Sequence, residues 1–454
     1  MSGSQYTSWG RYPQVNQRGV QLAWRTDSLP EITDEHANVL PWGNGRSYGD
    51  VCLNRGGLVI GTRALCHLLA FDPDTGIVRI EAGVTLAELL QLVVPAGWFL
   101  PVTPGTAFVT AGGALANDVH GKNHHLEGTF GCHVRAFELL RSDGSRLHCS
   151  PTENADYFAA TIGGMGLTGL VTWVEIQLRP IPGPMLREES IRYANVDEFF
   201  RLSDGSDDDF EYTVSWVDCL ASGDEAGRGL FSRANHVDAQ HEDSTDLVLE
   251  PRLSMPFTPP FSLVNNLSLR AFNKLWYARQ RKRRVQKNTH FSGFFYPLDA
   301  IGNWNRMYGP RGMLQYQCVL PGEAGRDAIG EMLARITRSG QGSFLAVLKV
   351  FGDKASPGML SFPRPGVTLA LDFPNRPDVF RLLDQLDAVT LEAGGAVYPA
   401  KDARMKAEVF RAGFPRWQEF ANYIDPNFSS SFWRRVADDG PGMTAMDRRT
   451  DGDD

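Results

Sequence analysis

Between residues 39 and 179 short apolar runs alternate with glycine: GGLVIGT at 56–62, GIVRIEAGVTLAELL at 76–90 and GLTGLVTWVEIQLRP at 166–180. Ile77, Arg79 and Glu81 alternate with Val78, Ile80 and Ala82, the period of two that predicts a strand. The following stretch, 85–94, reads as a helix capped by Thr85. After the proline-rich break PIPGP at 180–184, longer alternating segments take over. They predict strands at 210–217, 313–320, 344–351 and 367–373 and helices at 326–339 and 379–393. Strands and helices in that order predict an antiparallel sheet with helices on one face. Between 247 and 287 the pattern dissolves into a Pro/Phe-rich segment (MPFTPPF, 255–261) and a basic run at 279–287. That stretch reads as a long loop, of the kind found as lids or as disordered segments. From about 440 the chain is acidic and rich in small residues, a frayed tail. The fold class is α+β.

At 454 residues the chain is about two to three times the usual single-domain size, which predicts two domains sharing a cleft. A net charge of −8 argues against a general nucleic-acid binder, which needs a positive field to displace counterions. The six cysteines are scattered without a CxxC pair or zinc-like spacing, as expected of reduced thiols. The first residues lack a basic stretch followed by an apolar one, so no secretory signal is expected. The longest apolar stretch, 93–102, is roughly half the ~20 residues needed to span a bilayer. A cytoplasmic protein is expected, with a periplasmic-face location and peripheral contact at a membrane surface left open.

Two glycine-bearing motifs hold the candidate chemistry. The first, PWGNGRSYGD at 41–50, comprises Pro41, Trp42, Gly43, Asn44, Gly45, Arg46, Ser47 and Tyr48 before Gly49 and Asp50. Its glycines let consecutive N–H groups converge on an anion such as a pyrophosphate; its other reading is a glycine-rich hairpin turn. It is not the GxGxxG that opens a helix, so a nicotinamide site of the Rossmann type is not expected. The second runs from Gly105 through Thr110, Ala111, Gly112 and Gly113 to Asn117, Asp118, Val119, His120 and Lys122. Small residues there let a planar or phosphate-bearing ligand approach the backbone. His120, His124 and His125 invite a metal reading, but adjacent histidines point apart and no carboxylate follows at ligand spacing, so no metal is expected.

These motifs, with IEAGV at 80–84, PGT at 104–106, TAGGA at 110–114 and GGMGLTG at 163–169, resemble in their order the FAD-binding domain of the vanillyl-alcohol-oxidase superfamily. Within it the chain resembles the flavin half of two-enzyme polyprenylphosphoryl-ribose epimerases over almost its whole length. The shared stretches include HGKNHH (120–125), YPLD (296–299), LQYQC (314–318), KVFG (349–352) and YPAKDAR (398–404). The resemblance implies FAD bound at 43–48 and at 110–113, with further contacts from Gly105, the stretch from Asn117 to His120, Val171 and Tyr398. Many sugar and alditol oxidases of the superfamily have a flavin-linked histidine where Arg46 stands; arginine cannot form that bond, so the FAD is expected to be non-covalent. Residues 1–182 and 396–440 are expected to hold FAD, with 183–395 forming the substrate domain, a mobile loop at about 247–290 and a disordered acidic tail at 441–454.

Lys349, inside an apolar strand, and Lys401, after VYPA, are the remaining candidates. Each reads alone as a lysine whose stem snorkels at a strand end, or as a buried amine that needs a partner or a lowered pKa. The resemblance places both in the substrate pocket, together with Lys122, Trp216, Gln315, Gln317, Phe351, Thr368 and Ala370. Ala370 departs from the family, whose best-studied members have there a cysteine that nitroaromatic inhibitors trap; Thr368 stands for the usual asparagine. Lys401 is expected nearest the reacting hydroxyl, with Tyr48 and His120 as further catalytic candidates. The implied reaction is oxidation of the ribose 2-hydroxyl of a polyprenylphosphoryl sugar to a 2-keto sugar. A separate NAD(P)H-dependent short-chain reductase would then complete the epimerisation. Its rivals are an oxygen-using oxidase of a free sugar, alditol or aldonolactone, and a flavin-binding protein without turnover.

Overall fold

A computed structural model describes residues 6–31, 38–238 and 249–437; the tail expected at 441–454 lies outside the described residues. Period-two patterning becomes antiparallel sheet twice. In the first half, Leu68–Asp72, Ile77–Glu81, Leu170–Gln177, Val134–Leu140 and Arg146–Cys149 form a five-stranded sheet in that spatial order. Beside it, Arg18–Gln21, Leu58–Gly61 and Val39–Trp42 make a small parallel sheet with Leu58–Gly61 in the middle. Thr85 does cap a helix, Leu86–Val93, through a capping box with Glu88, which satisfies N–H groups that the first turn otherwise leaves unpaired.

The second half is an eight-stranded antiparallel sheet with the order Arg284–His290, Met185–Tyr193, Gly229–Val237, Tyr212–Val217, Val347–Phe351, Gly366–Pro374, Met313–Leu320 and Ala396–Val397. Its alternation sorts residues by task. Tyr316, Cys318, Leu369 and Leu371 are buried on the side covered by the helices Ala324–Ser339 and Pro377–Glu392; the Tyr316 hydroxyl meets Thr390 Oγ1 at 2.8 Å and Cys318 Sγ meets Met332 Sδ at 3.8 Å. Gln315, Gln317, Ala370 and Asp372 therefore point the other way, into a cavity. The architecture is a two-domain α+β fold.

The chain after Val397 returns to the first sheets. Tyr48 N–H donates to Ala400 O at 2.9 Å and Val39 N–H to Asn427 O at 2.7 Å. Arg435 binds Asp50 at 2.6 Å and Asp402 at 2.9 Å.

The long-loop reading of 247–290 is corrected. It contains a helix, Asn266–Arg279, and an edge strand, Arg284–His290, paired to Met185–Tyr193. The strand is held by charge rather than apolar alternation: Lys287 pairs with Glu188, Arg284 with Glu189, and the Thr289 hydroxyl donates to Glu188. All six cysteines are free thiols. Among the described residues no helix is long and apolar enough to cross a membrane.

Candidate active site

The two glycine motifs meet at one wall of a cavity of about 1030 Å³, at the upper end of the size usual for ligand and cofactor sites. They meet closely because neither has side chains in the way: a Cβ on Gly43 would fall 2.3 Å from Thr110 Oγ1. Gly45 has φ +59°, a left-handed conformation that favours glycine. Thr110 caps the short helix Ala111–Ala116 by accepting from Gly113 N–H at 3.2 Å. Asn44 fixes the first loop to the second by donating to Phe108 O at 2.8 Å, and the Tyr398 hydroxyl donates to Asn117 O at 2.8 Å. Arg46 lies over the rings of Trp9, at 4.3 Å, and Phe108. Arg46 Nε and Asn117 Oδ1 are buried without a protein partner, which fits a cofactor with anionic and polar edges, since buried polar groups are normally bonded. A backbone-lined cradle of this kind suits the pyrophosphate and ring system of FAD.

The opposite wall comes from the eight-stranded sheet and the turn Pro399–Lys401. Lys401 Nζ lies 4.2 Å from the centre of the Tyr48 ring. Lys349 Nζ donates to Gly121 O at 3.2 Å, and Lys122 Nζ to Phe294 O while resting on the Phe294 ring. Burial lowers Lys122 and Lys401 to about 8, and burial together with those two amines lowers Lys349 to about 7. Burial raises Asp372 to about 7, opposed by the hydrogen bond from Gln315 Nε2, 2.5 Å away, and by Lys401. Gln317 Nε2 meets His120 Nε2 at 2.9 Å and donates to Thr368 Oγ1 at 3.2 Å. Burial and neighbouring cations hold His120 well below its ordinary pKa, so its ring is neutral. Burial likewise pushes the Tyr48 hydroxyl up.

Of the residues singled out in the sequence, Pro41, Gly43, Asn44, Gly45, Arg46, Ser47, Tyr48, Gly105, Thr110, Gly112, Gly113, Asn117, Val119, His120, Val171 and Tyr398 line this cavity. So do Lys122, Trp216, Gln315, Gln317, Lys349, Ala370 and Lys401. Five do not. Trp42 faces away, edge-on to Tyr6. Ala111 is buried with its N–H donating to Val84 O. Asp118 is a fold-holding residue: its carboxylate accepts from Gly131 N–H and from the hydroxyls of Ser356 and Ser361. Phe351 and Thr368 stand one layer back, Phe351 against the rings of His120 and His124, Thr368 behind Gln317.

The histidines do diverge: His125 Nε2 bonds Phe210 O at 3.0 Å, while His124 packs on Phe351. Sequence reasoning missed Trp9, Asp299 and Asp372, all of which line the cavity. Asp299 accepts from Ala107 N–H at 2.8 Å. Both acids stand inside stretches already noted, and a lone aspartate in an apolar strand was the available clue for Asp372.

Residues 27–150 match the FAD binding domain. With the glycine cradle and the amines that line the same cavity, this defines an FAD-dependent oxidoreductase. Over 411 residues, 88% of this chain and 89% of the relative, the sequence is 38% identical to decaprenylphosphoryl-beta-D-ribose oxidase of Mycolicibacterium smegmatis. It is 34% identical over 78% of the chain to the whole of a Streptomyces coelicolor protein described as an uncharacterized protein in the mprA 5' region. Mouse L-gulonolactone oxidase is 27% identical over 39% of this chain and 41% of its own. The chain belongs to the decaprenylphosphoryl-β-D-ribose oxidase family.

Proposed function

We propose that the protein oxidises the 2-hydroxyl of a polyprenylphosphoryl-β-D-ribose to the 2-keto sugar. A separate NAD(P)H-dependent short-chain reductase would complete the epimerisation to the arabinose form. The observation that carries this reading is that three half-buried amines, Lys122, Lys349 and Lys401, converge on the cavity that the glycine cradle lines. None has an acid within 4.0 Å among the described residues. Asp372 and Glu188 act on Lys401 and Lys122 only from beyond ion-pair distance, and amines withdrawn from water without a close pair are costly, a cost that an anionic, hydroxyl-bearing ligand relieves.

Bound FAD supplies the two-electron acceptor, held by the backbone of 43–48 and 110–113 and by packing, with Arg46 excluding a covalent link at that position. Lys401, lowered to about 8, has a neutral fraction near neutral pH and takes the proton of the reacting hydroxyl. The Tyr48 ring lies beneath its Nζ, and Asp372, fixed by Gln315, tunes its charge. Lys349 stabilises negative charge as it develops on the sugar oxygen, where a dry site makes each cation count for more. Lys122 and Trp216, which line the same cavity, would bound the sugar. His120, neutral and oriented by Gln317, positions the sugar rather than exchanging protons.

Anaerobic bleaching of the flavin band near ~450 nm tests the reading. A polyprenylphosphoryl ribose should bleach it and free polyols should not. Bleaching by an alditol or aldonolactone with peroxide release would replace this function with that of a soluble-sugar oxidase. No bleaching by any of them would leave a flavin protein without turnover.

A further inference from the structure

From residue 251 to residue 298 the chain contains no Asp or Glu but nine Lys and Arg, within a protein of net charge −8. Arg283, Arg284 and Lys287 are neutralised by Glu198, Glu189 and Glu188, and Arg279 stacks on Trp276 at 3.7 Å. Arg252, Arg270, Lys274, Arg281 and Lys282 are exposed and have no ion-pair partner among the described residues. The same stretch exposes Leu253, Phe257, Phe261, Leu263, Leu267 and Leu275, with Leu267 81% and Leu275 71% accessible.

The helix Asn266–Arg279 is inverted relative to an ordinary surface helix. Its inward stripe is Leu269, Asn273 and Tyr277. Asn273 Nδ2 donates to Asp218 Oδ1 at 3.0 Å and the Tyr277 hydroxyl to Tyr193 O at 3.1 Å. At 100° per residue the opposite face is Leu267, Ala271, Leu275 and Ala278, all exposed. Arg270 and Lys274 flank that face. A helix in water turns its apolar stripe to the core; this one anchors itself inward mainly through polar groups and presents leucines outward. Pro251, Trp276 and Arg279, from the same stretch, line the cavity that begins at the glycine cradle.

We infer that residues 252–282 form a docking surface for an anionic lipid bilayer, with the leucines and phenylalanines entering the headgroup layer and the five unpaired cations facing its charge. Apolar insertion and basic residues together give the paired attraction that reversible membrane binding requires. A second copy of the chain suits the surface less well, because a two-fold contact would set the same unpaired cations against each other. Delivery of a lipid-linked sugar into the cavity from the docked membrane rests on the function proposed above; the docking itself does not.

The test is co-sedimentation of the FAD-loaded full chain with vesicles of phosphatidylcholine alone or mixed with phosphatidylglycerol. Binding is expected to the anionic vesicles only, and to weaken with salt. The R281Q/K282Q double variant should bind roughly 30-fold more weakly. L267E/L275E should lose binding while keeping the parent's flavin spectrum and melting temperature. Equal binding to neutral vesicles, no binding by the parent, or binding unaffected in both variants overturns the inference. So does a dimer of the parent that L267E/L275E dissolves. No sugar is present in this assay, so its failure is separable from failure of the substrate reading.

Discussion

Lys401 and Tyr48 come from opposite ends of the chain and meet with the amine 4.2 Å from the ring centre, joined by the hydrogen bond from Tyr48 N–H to Ala400 O. The contact closes the cavity where the flavin cradle and the substrate sheet face each other. Burial is the main reason the pKa of this amine falls to about 8.

A base must be unprotonated to act, so the rate of flavin reduction should rise with pH through about 8 and level off above it. Asp372 raises the Lys401 pKa, so Asp372→Asn should move that rise to lower pH. Lys401→Ala should cut reduction by roughly 10²-fold or more with FAD still bound. Stopped-flow reduction across pH checks all three; a midpoint that stays put or climbs in Asp372→Asn would remove Lys401 from the role of base.

Acid precipitation should leave all the FAD in the supernatant, because the residue at 46 cannot bond the flavin. A yellow pellet would contradict this. Gly43→Ala places a Cβ 2.3 Å from Thr110 Oγ1 and forces the two loops apart, so it should purify with much less FAD. Gly105→Ala meets nothing within 4 Å in the protein itself, so it should fold as the parent does, and any fall in its FAD content would report a direct contact of residue 105 with the cofactor. Flavin-to-protein absorbance ratios read both variants.

How far the sequence foretold this arrangement depends on what each element had to satisfy. Met313–Leu320 was readable because one face packs under helices and the other lines a cavity, which keeps the alternation sharp. Arg284–His290 was not, since its partners are the acids Glu188 and Glu189 on the neighbouring strand, nearly a hundred residues away. The helix Asn266–Arg279 hid for a related reason: with leucines outward and Asn273 inward, its pattern opposes the usual rule. In the site, the glycine loops were legible because their chemistry needs glycine. Asp118 was misplaced because it sits inside a cofactor motif while its bonds run to Ser356 and Ser361, a connection only the tertiary fold makes.

Arg435 joins Asp50, beside the first glycine motif, to Asp402, next to Lys401. Both acids are buried, so Arg435→Met leaves two carboxylates without their cation and should cost about 3–5 kcal/mol. A lowered melting temperature is expected, together with loss of reduction, because the turn that presents Lys401 is released. An unchanged melting temperature would mean that the C-terminal segment is held by its apolar contacts alone.

Ala370 lines the cavity between Gln317 and Val347, its partners on the two neighbouring strands. In the best-studied members of the family it resembles, a cysteine at this place is trapped by nitroaromatic inhibitors, and alanine has no nucleophile to offer. The parent protein, incubated with such an inhibitor and a reducing substrate, should therefore show no added mass. Ala370→Cys adds one sulfur atom facing the cavity and should gain a single adduct, only when the flavin is being reduced. Three of the six native thiols are a built-in control: Cys149, Cys219 and Cys318 are buried elsewhere, and burial pushes each of them up to about 12, which keeps them protonated and unreactive. An adduct on the parent chain, mapped by peptide mass to Cys52, the one cysteine that lines this cavity, would show that the inhibitor reaches the cradle side. An Ala370→Cys protein that reduces its flavin yet gains no mass would show that position 370 does not face the reacting group.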